Sequence, residues 1–532
     1  MQVLGVGLGV GLGVLAVVLI GLSVARKVAG DSTNFLVAGR SLALPLTAAG
    51  LMGQAVDTNA TLGNTDLSAA GGFWAGASLP IGLAICLVLT GLFFAKRMNS
   101  MKLLTIGDFY RRRYGRGVEM AASIMMIFSF CLLLAGNLVA GGFLFERFLG
   151  TSYVVGILLI VGVVLLYTAT GGMYSDAYTA FAQMVITVIA TGSLLVWVAL
   201  TFGITIPDGT GPLDLGQLTS SEQGAMFNWA TLLALGIGDI VAIDFMQRIF
   251  AARSPEIAQR ACFVGAFGVL AVGVPFSLVA LSCRAILGNS PGSGPVLFTL
   301  LNDYAPVGLT ILVLSGIVAA SCSTANGAIL GTAAVAARNV IGVQLQSDAH
   351  GRDSLLRATR ITLIPVVALA VFFALRVPQT GILLTLAFDV MLAALAFPFI
   401  FGHYWSRAST AAAVASITIG SILRIGFFVL TPTIYGVQNT LLYLPNSVVG
   451  AGFDGWATVV AALGSLVAFV TAAMADPPAA RAVPSSRGLH RRGGPTRHDR
   501  EEVPDEVRGR QHSGGPRQTG QHPARYSGSR HP

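Results

Sequence analysis

Charged residues are scarce in this chain, and apolar residues are abundant. Only 11% of the 532 residues are Asp, Glu, Lys or Arg, whereas 54% are hydrophobic. A soluble domain carries about 25% charged residues, so the composition excludes a soluble globular protein. The apolar runs are continuous instead of short and alternating, which also excludes a membrane β-barrel. The sequence therefore predicts an all-α polytopic membrane protein.

Cysteine is also rare, and motifs for enzymatic chemistry are lacking. The five cysteines lie in or at the ends of apolar runs without metal-ligand spacing, which favours small buried residues over a disulfide framework or a zinc site. The sequence contains no Asp-Asp-x-x-Asp, His-Glu-x-x-His or Walker-type motif. We therefore predict no enzyme, no ATP-driven pump and no cofactor.

About thirteen apolar stretches are long enough to cross a bilayer. They lie near residues 3–25, 43–65, 73–95, 118–144, 153–170, 177–201, 227–247, 260–283, 307–335, 357–376, 381–402, 409–430 and 454–475. Eighteen Lys and Arg residues fall in one set of connections, and three fall in the opposite set. By the positive-inside rule this predicts a plasma (cell inner) membrane protein with its N-terminus outside and its C-terminus in the cytoplasm. The first stretch lacks a basic n-region and an Ala-x-Ala-like end, so we interpret it as a retained helix.

The chain divides into a transmembrane domain over 1–475 and a tail over 476–532. The tail is rich in Pro, Gly, Arg, His and Ser, which predicts a disordered cytoplasmic segment. Its eleven Arg residues are suited to contact anionic lipid, and an extension without function is equally compatible. Because topology explains the net charge of +9, no nucleic-acid partner is predicted.

The second and seventh stretches each carry paired glycines next to polar groups. Glycine weakens a helix, and an unwound turn exposes backbone carbonyls and amides. The two interruptions are five helices apart, a pattern typical of transporters built from inverted repeats that bind solute between them. Glycines that let helices pack closely are the alternative interpretation. The candidate substrate-binding residues are Gln54, Asp57, Thr58, Asn59, Gly236, Gly238 and Asp239.

Two of these candidates, Asp57 and Asp239, are carboxylates at membrane depth. An ionised carboxylate there is costly and is usually functional. Together they would favour a cationic or zwitterionic solute with an amino group, or would attract sodium. The alternative is that they cap the exposed amides of a broken helix. Asp389, in a later stretch, is expected to be paired internally.

Ser323 and Thr324 form a pair of adjacent hydroxyls inside one apolar stretch. At membrane depth they offer hard oxygen ligands to a small alkali cation. Alternatively they bond back to their own helix or help two helices pack.

Several segments resemble the sodium/solute symporter family, which includes sodium/proline, sodium/pantothenate and sodium/galactose carriers. The resemblance extends over residues 35–475. It is carried by Gly39-Arg-Ser-Leu42, by Thr105-Ile-Gly-Asp-Phe-Tyr-Arg-Arg-Arg-Tyr-Gly115, by Tyr153 through Tyr167-Thr-Ala-Thr-Gly-Gly-Met-Tyr-Ser175 with Asp176 and Gln183, by Gln247-Arg248 with Ala251-Ala-Arg253, and by Pro398 with Tyr404-Trp-Ser-Arg407.

The resemblance implies two inverted five-helix repeats of the LeuT type with flanking helices. It also implies sodium-coupled import of a small organic solute by alternating access, with a monomer sufficient for transport and with solute, sodium and membrane lipid as partners. The implied sodium ligands, the only metal ligands expected, are the Ser323 and Thr324 hydroxyls and the carbonyls of Gly53, Val56 and Ala320.

Two departures from the family pattern bear on the substrate and the coupling ion. The proline carriers have an aspartate where this chain has Ala55, which puts a proline substrate in doubt. Ile243 stands where the family's sixth core helix often has a proline. Proton coupling through Asp57 remains open, as does a transporter-like sensor that binds solute without moving it.

Overall fold

The computed structural model describes residues 2–288, 295–345, 352–378, 382–439 and 442–476. The predicted tail lies outside these residues, except for Asp476. Within the described ranges the chain forms twenty α-helices and one two-stranded antiparallel hairpin. The helices are α1 (Gln2–Ser23), α2 (Ser32–Val37), α3 (Leu44–Ala55), α4 (Asn64–Gly71), α5 (Phe73–Leu89), α6 (Ala95–Ser100), α7 (Gly107–Tyr114), α8 (Arg116–Leu149), α9 (Tyr153–Thr201), α10 (Gly216–Thr219), α11 (Ala225–Ile237), α12 (Ile243–Ala251), α13 (Pro255–Leu287), α14 (Val296–Asp303), α15 (Val307–Val335), α16 (Ser354–Arg376), α17 (Ile382–Met391), α18 (Phe397–Tyr404), α19 (Thr410–Leu430) and α20 (Trp456–Ala475). The hairpin strands are β1 (Thr433–Ile434) and β2 (Val437–Gln438).

Short irregular helical segments connect several of these helices. Thr90–Phe94 joins α5 to α6, and Leu392–Ala396 joins α17 to α18, in both cases as a π-helical turn that continues one long helix. Asn59–Gly63 leads into α4 in the same way. Such single π turns widen a helix locally and are frequent at functional sites.

The number of membrane crossings remains a prediction. Among the described residues, ten helices are long and apolar enough to span a bilayer, or eleven if α11 and α12, bent by 45°, count as one span. The 49 residues of α9 are enough for two helices that each cross the hydrocarbon core. This helix is broken at Gly172 (φ 50°, ψ −136°), between two predicted stretches. A Cβ at Gly172 would overlap the carbonyl oxygen of Phe35, so a glycine is required at this break.

Buried helices form the centre of the molecule, and helices with apolar exposed faces surround them. Every residue of α17 is buried, as is all of α15 from Gly316 onward. On the periphery, Leu12 of α1 is 67% exposed and Ile364 of α16 is 69% exposed. In a bilayer such faces contact lipid, so their exposure needs no protein partner.

The chain leaves helical geometry at two places inside this centre. After α3, Val56 adopts φ −94° and ψ 81°, and regular structure resumes at Asn59. Between α11 and α12, a 3₁₀ turn over Gly238–Val241 is followed by Ala242 at φ −59° and ψ 129°. Both predicted interruptions are therefore present.

The glycines that predicted these breaks are placed differently at the two sites. Gly238 begins the 3₁₀ turn at the second break. Gly50 and Gly53 are inside α3, where a Cβ would come within 3.1 Å of Arg248 Cγ and 2.6 Å of Ser323 Oγ, respectively. They permit close packing of helices, as the alternative interpretation held. The polar residues that follow them mark the break.

Candidate functional site

The hydroxyl pair on α15 lies against the last turn of α3. Thr324 Oγ1 donates to the carbonyl oxygen of Gly53 at 2.9 Å and to that of Ala320 at 3.4 Å. All three residues are buried in the protein interior. Two of the five predicted sodium ligands, the carbonyls of Gly53 and Ala320, therefore lie within hydrogen-bonding distance of a third, the Thr324 hydroxyl.

Ser323 completes this contact from the neighbouring position on α15. Its Oγ is buried and has no hydrogen-bond partner among the residues that the structure describes. Its carbonyl oxygen accepts from Gln54 Nε2 at 2.9 Å. Because the site of a Gly53 Cβ is 2.6 Å from Ser323 Oγ, the hydroxyl faces the α3 backbone directly. An unsatisfied buried hydroxyl is costly, and a bound ligand would relieve that cost.

Val56, the fifth predicted ligand, lies one turn after Gly53. It is 2% exposed, and its backbone turns out of the α3 ladder at this residue. Carbonyls at a helix end have no intrahelical donor, so they are available to a cation. The structure thus gathers Gly53, Ala320, Ser323 and Thr324 around one point and places Val56 at the adjacent helix end.

A buried ion pair lies beside the hydroxyl pair. Arg248 Nη2 is 2.5 Å from Asp176 Oδ1, and both side chains are 0% exposed. Arg248 Nη1 also donates to the carbonyl oxygen of Asp244 at 3.0 Å, and Asn326 donates to Asp176 at 3.2 Å. A Cβ at Gly327 of α15 would overlap Arg248, so the ion pair packs directly on the helix that carries Ser323 and Thr324.

One expectation about this ion pair is wrong. Arg248 is one of the eighteen basic residues assigned to the connections, but it is wholly buried in α12. Asp176, which the sequence shows only as part of a family motif, is a buried acidic residue in a membrane helix, and such a residue is usually functional. Hydropathy along the chain cannot show such a tertiary pairing.

Asp57 is satisfied within the protein. Its carboxylate accepts from Ala60 N at 2.7 Å, from Asn59 Nδ2 at 2.7 Å and from Asn137 Nδ2 at 3.0 Å. Thr58 Oγ1 donates to Asn137 Oδ1 at 2.8 Å. Asp57 therefore caps the amides after the break, which is the alternative that the sequence left open.

The carboxylate of Asp239, unlike that of Asp57, is not satisfied by the described residues. It is 1% exposed, and neither carboxylate oxygen has a hydrogen-bond partner among the described residues. Within the described ranges, no Lys or Arg forms an ion pair with it. A buried carboxylate without a donor or a cation is unfavourable, so Asp239 is the group here that most needs a ligand.

Of the two glycines near Asp239, only Gly238 is required by packing. A Cβ at Gly238 would overlap the carbonyl oxygen of Phe388 of α17. A Cβ at Gly236 would lie 3.4 Å from Ile85 Cγ2 of α5, which is an ordinary van der Waals contact. Neither position presents a side chain to a solute.

A cavity of about 470 Å³ opens at the last turn of α4 and the first turns of α11. These are the ends of the two helices that lie away from the breaks. The cavity lies between α4, which follows the first break, and α11, which precedes the second. Polar lining residues include Glu222, Asn228, Thr231 and Tyr435. None of the predicted substrate-binding residues lines it.

Asp389 of α17 is paired internally, as expected. It forms an ion pair with Arg424 of α19 and accepts from Tyr435 Oη at 3.0 Å and from Thr458 Oγ1 of α20 at 2.9 Å. One carboxylate thus joins a buried central helix to two peripheral helices and to the hairpin that borders the cavity.

The sequence of this chain is similar to those of several known transporters. A model of the sodium:solute symporter family matches residues 35–420. The human high affinity choline transporter 1 is 24% identical over 372 residues, covering 66% of this chain and 63% of that protein. The Bacillus subtilis high-affinity proline transporter PutP is 24% identical over 424 residues, covering 75% and 87%, and the Haemophilus influenzae sodium/pantothenate symporter is 22% identical over 338 residues, covering 62% and 70%. The chain thus spans less than two thirds of the length of the choline transporter.

Solved structures show the same fold. A Na⁺-coupled sialic acid symporter in a substrate-bound, outward-open state superposes with a TM-score of 0.71 at 14% identity, covering 89% of this chain and 98% of that one. MhsT in complex with L-phenylalanine gives a TM-score of 0.51 at 13% identity, covering 80% and 98%. The predicted all-α fold of the LeuT type is confirmed. The prediction that the chain is not an enzyme is also confirmed, because the family and these relatives are transporters.

Proposed function

The chain belongs to the sodium:solute symporter family, and from this premise we propose that it imports a small organic solute across the cell membrane in symport with sodium. The observation that carries the proposal is the contact of Thr324 Oγ1 with the Gly53 carbonyl, 2.9 Å apart on two different helices. In this proposal alternating access moves the solute and sodium together.

Sodium binds between α3 and α15 in this proposal. Its ligands are the Ser323 and Thr324 hydroxyls and the carbonyls of Gly53, Val56 and Ala320. Thr324 keeps its proton, but its O–H turns away from the two carbonyls, so that the hydroxyl oxygen and both carbonyl oxygens face the ion. The ion also gives the unpartnered Ser323 hydroxyl a partner. Bound sodium thereby fixes the end of α3 and the break that follows it.

The solute is a cation or zwitterion with an ammonium group, bound near Asp239. Support comes from the two carboxylate oxygens of Asp239, which have no hydrogen-bond or ion-pair partner among the described residues. Choline and proline, named for two relatives, both carry a positive nitrogen, whereas pantothenate carries a carboxylate. An anion would meet the repulsion of Asp239, Asp57 and Asp244, so we rank pantothenate last.

The sodium gradient supplies the energy for accumulation. Each charge that crosses 100 mV gains about 2.3 kcal/mol. Since about 1.4 kcal/mol is a factor of ten, the potential alone supports roughly fiftyfold accumulation.

Uptake by the purified chain in proteoliposomes tests the proposal. Labelled choline, proline and pantothenate are offered with an inward sodium gradient, with a proton gradient and with neither. We expect sodium-driven uptake of an amine, and its loss in the Ser323→Ala/Thr324→Ala double variant. Ser315→Ala, on the same helix and half-buried, is the matched control that keeps transport.

Three outcomes would contradict this proposal. Uptake driven by protons and indifferent to sodium would support the proton-coupled alternative. Saturable solute binding without accumulation would support a sensor. Unchanged sodium dependence of uptake in the double variant would show that Ser323 and Thr324 do not bind sodium.

A further inference from the structure

In a second cavity, separate from the one between α4 and α11, every Asp, Glu, Lys or Arg among the described lining residues is basic. This cavity has a volume of about 530 Å³ and lies where α6, α7 and α18 meet. Lys96, Arg97, Arg112 and Arg113 line it, and no Asp or Glu does. We call these four cations and the space between them the basic cavity.

The cations of the basic cavity differ from five other arginines of this protein. Within the described ranges, none of the four forms an ion pair with a carboxylate. The five arginines that do are Arg111 and Arg116 with Glu119, Arg248 with Asp176, Arg338 with Asp108 and Arg424 with Asp389. Glu256 does not line the cavity, although its charge interacts with that of Lys96. Four like charges in one cavity repel each other, so a bound anion would lower the electrostatic energy.

Backbone contacts hold two of the guanidinium groups in place. Arg113 donates to the carbonyls of Gly402 at 3.0 Å and of Trp405 at 3.2 Å, and Arg97 donates to that of His403 at 3.2 Å. These are carbonyls at the C-terminal end of α18, a usual place for basic side chains. The cavity is therefore built on fixed donors.

The other two cations are more available to a ligand. Arg112 donates through Nη1 to the carbonyl of Met101 at 3.1 Å. Lys96 is exposed, and its ammonium group forms no hydrogen bond within the part of the chain that the structure describes. Both can turn toward an anion without losing a carboxylate partner.

The basic cavity lies at the level where lipid headgroups begin. On the same continuous helix, Leu92 is 55% exposed and Phe93 is 51% exposed, one turn before Lys96. Tyr404 is 48% exposed and donates from its hydroxyl to the Phe93 carbonyl at 2.5 Å. Exposed apolar residues followed by an aromatic residue and then by cations mark the boundary between acyl chains and headgroups.

We propose that the basic cavity binds the phosphate of an anionic phospholipid, with the acyl chains along Leu92 and Phe93. Arginine and lysine donors suit phosphate oxygens, and charge-assisted bonds of this kind are short and strong. Inorganic phosphate shares the anionic chemistry but would leave the adjacent apolar surface without a partner. A zwitterionic lipid carries a positive group that the four cations repel.

Binding to the purified full chain in detergent tests this proposal. Phosphatidylglycerol, phosphatidylcholine and inorganic phosphate are added separately, and bound lipid and melting temperature are measured by native mass spectrometry and thermal shift. We expect phosphatidylglycerol to bind at least tenfold more tightly than phosphatidylcholine, and inorganic phosphate to stabilise little. In Lys96→Ala/Arg112→Ala we expect this preference to fall to less than threefold.

Matched variants separate the site from general charge and folding effects. Arg253→Ala/Arg260→Ala removes two exposed cations elsewhere and should keep the preference. Lys96→Arg/Arg112→Lys keeps the charge and should bind as the unaltered chain does. Equal binding of the two lipids, an unchanged preference in Lys96→Ala/Arg112→Ala, or full competition by millimolar phosphate would each overturn the proposal.

Discussion

Thr324 and Gly53, 271 residues apart in sequence, are joined by a 2.9 Å hydrogen bond from the hydroxyl of one to the carbonyl of the other. The bond links α15 to the end of α3 at the residue before Gln54, whose side chain binds back to the carbonyl of Ser323. The two helices therefore hold each other through backbone carbonyls, which are the groups that a bound cation would use.

Replacing Thr324 tests whether this oxygen binds sodium. As a plain hydrogen bond it stabilises the fold by about 1 kcal/mol, so Thr324→Ala should lower the melting temperature only slightly. As a sodium ligand it should raise the sodium concentration for half-maximal uptake at least tenfold, and Thr324→Ser should restore it. Thr332→Ala is the control, because that buried hydroxyl on α15 has no partner among the described residues. An equal effect of both alanine variants would contradict a specific role for Thr324.

Gly53 should tolerate alanine only when Ser323 is also changed. A Cβ at position 53 would lie 2.6 Å from Ser323 Oγ but 3.6 Å from Ser323 Cβ. Gly53→Ala should therefore lose about 1–3 kcal/mol of stability by overpacking, and Gly53→Ala/Ser323→Ala should recover most of it. Thermal unfolding in detergent measures both variants. Failure of the second substitution to rescue would show that α3 and α15 are not packed as described.

The Arg248–Asp176 ion pair predicts strongly coupled substitutions. Removing one partner strands a buried charge and should cost about 3–5 kcal/mol, as in Arg248→Met or Asp176→Asn alone. The double variant Arg248→Met/Asp176→Asn leaves no stranded charge and should be more stable than Arg248→Met. A double-mutant cycle on the unfolding free energy measures the coupling, and additive effects would argue against a buried pair.

Neutralising Asp57 should lower the stability of the protein, whereas neutralising Asp239 should not. Asp57→Asn weakens three hydrogen bonds to a charged acceptor and should lower the melting temperature. Asp239→Asn loses no bond among the described residues and should leave stability unchanged or raised. If Asp239 binds an ammonium group, the same change should reduce amine uptake at least tenfold. A stable Asp239→Asn protein with full amine uptake would refute that role.

The fold and part of the site were predictable from sequence because they depend on local patterns. Continuous apolar runs predicted the helices, and two adjacent hydroxyls predicted the Ser323–Thr324 pair, whereas the carbonyls of Gly53, Val56 and Ala320 came from the family resemblance. The breaks after Ala55 and before Ile243 followed from glycine next to polar residues. The packing of Gly50 and Gly53 against Arg248 and Ser323 could not be predicted, because these partners are distant in sequence.

What the sequence did not predict depends on tertiary partners. Asp57 and Asp239 look alike in the chain, yet one accepts three hydrogen bonds and the other accepts none from the described residues. Asn137, which decides this difference, lies on a separate helix. In the sequence Arg248 likewise resembles the basic residues of the connections, and only the structure shows that it lies beside Asp176.

The ion pair and hydrogen bonds of Asp389 predict where substitutions that inactivate this protein will be found. Its helix touches Gly238 through the Phe388 carbonyl, and its carboxylate is bound by Arg424 and Thr458 on the outermost helices. Any rearrangement of α17 must carry α19 and α20 along or break those bonds. A genetic screen for inactive variants should therefore recover substitutions in the last two helices, far from any solute, as readily as in the centre.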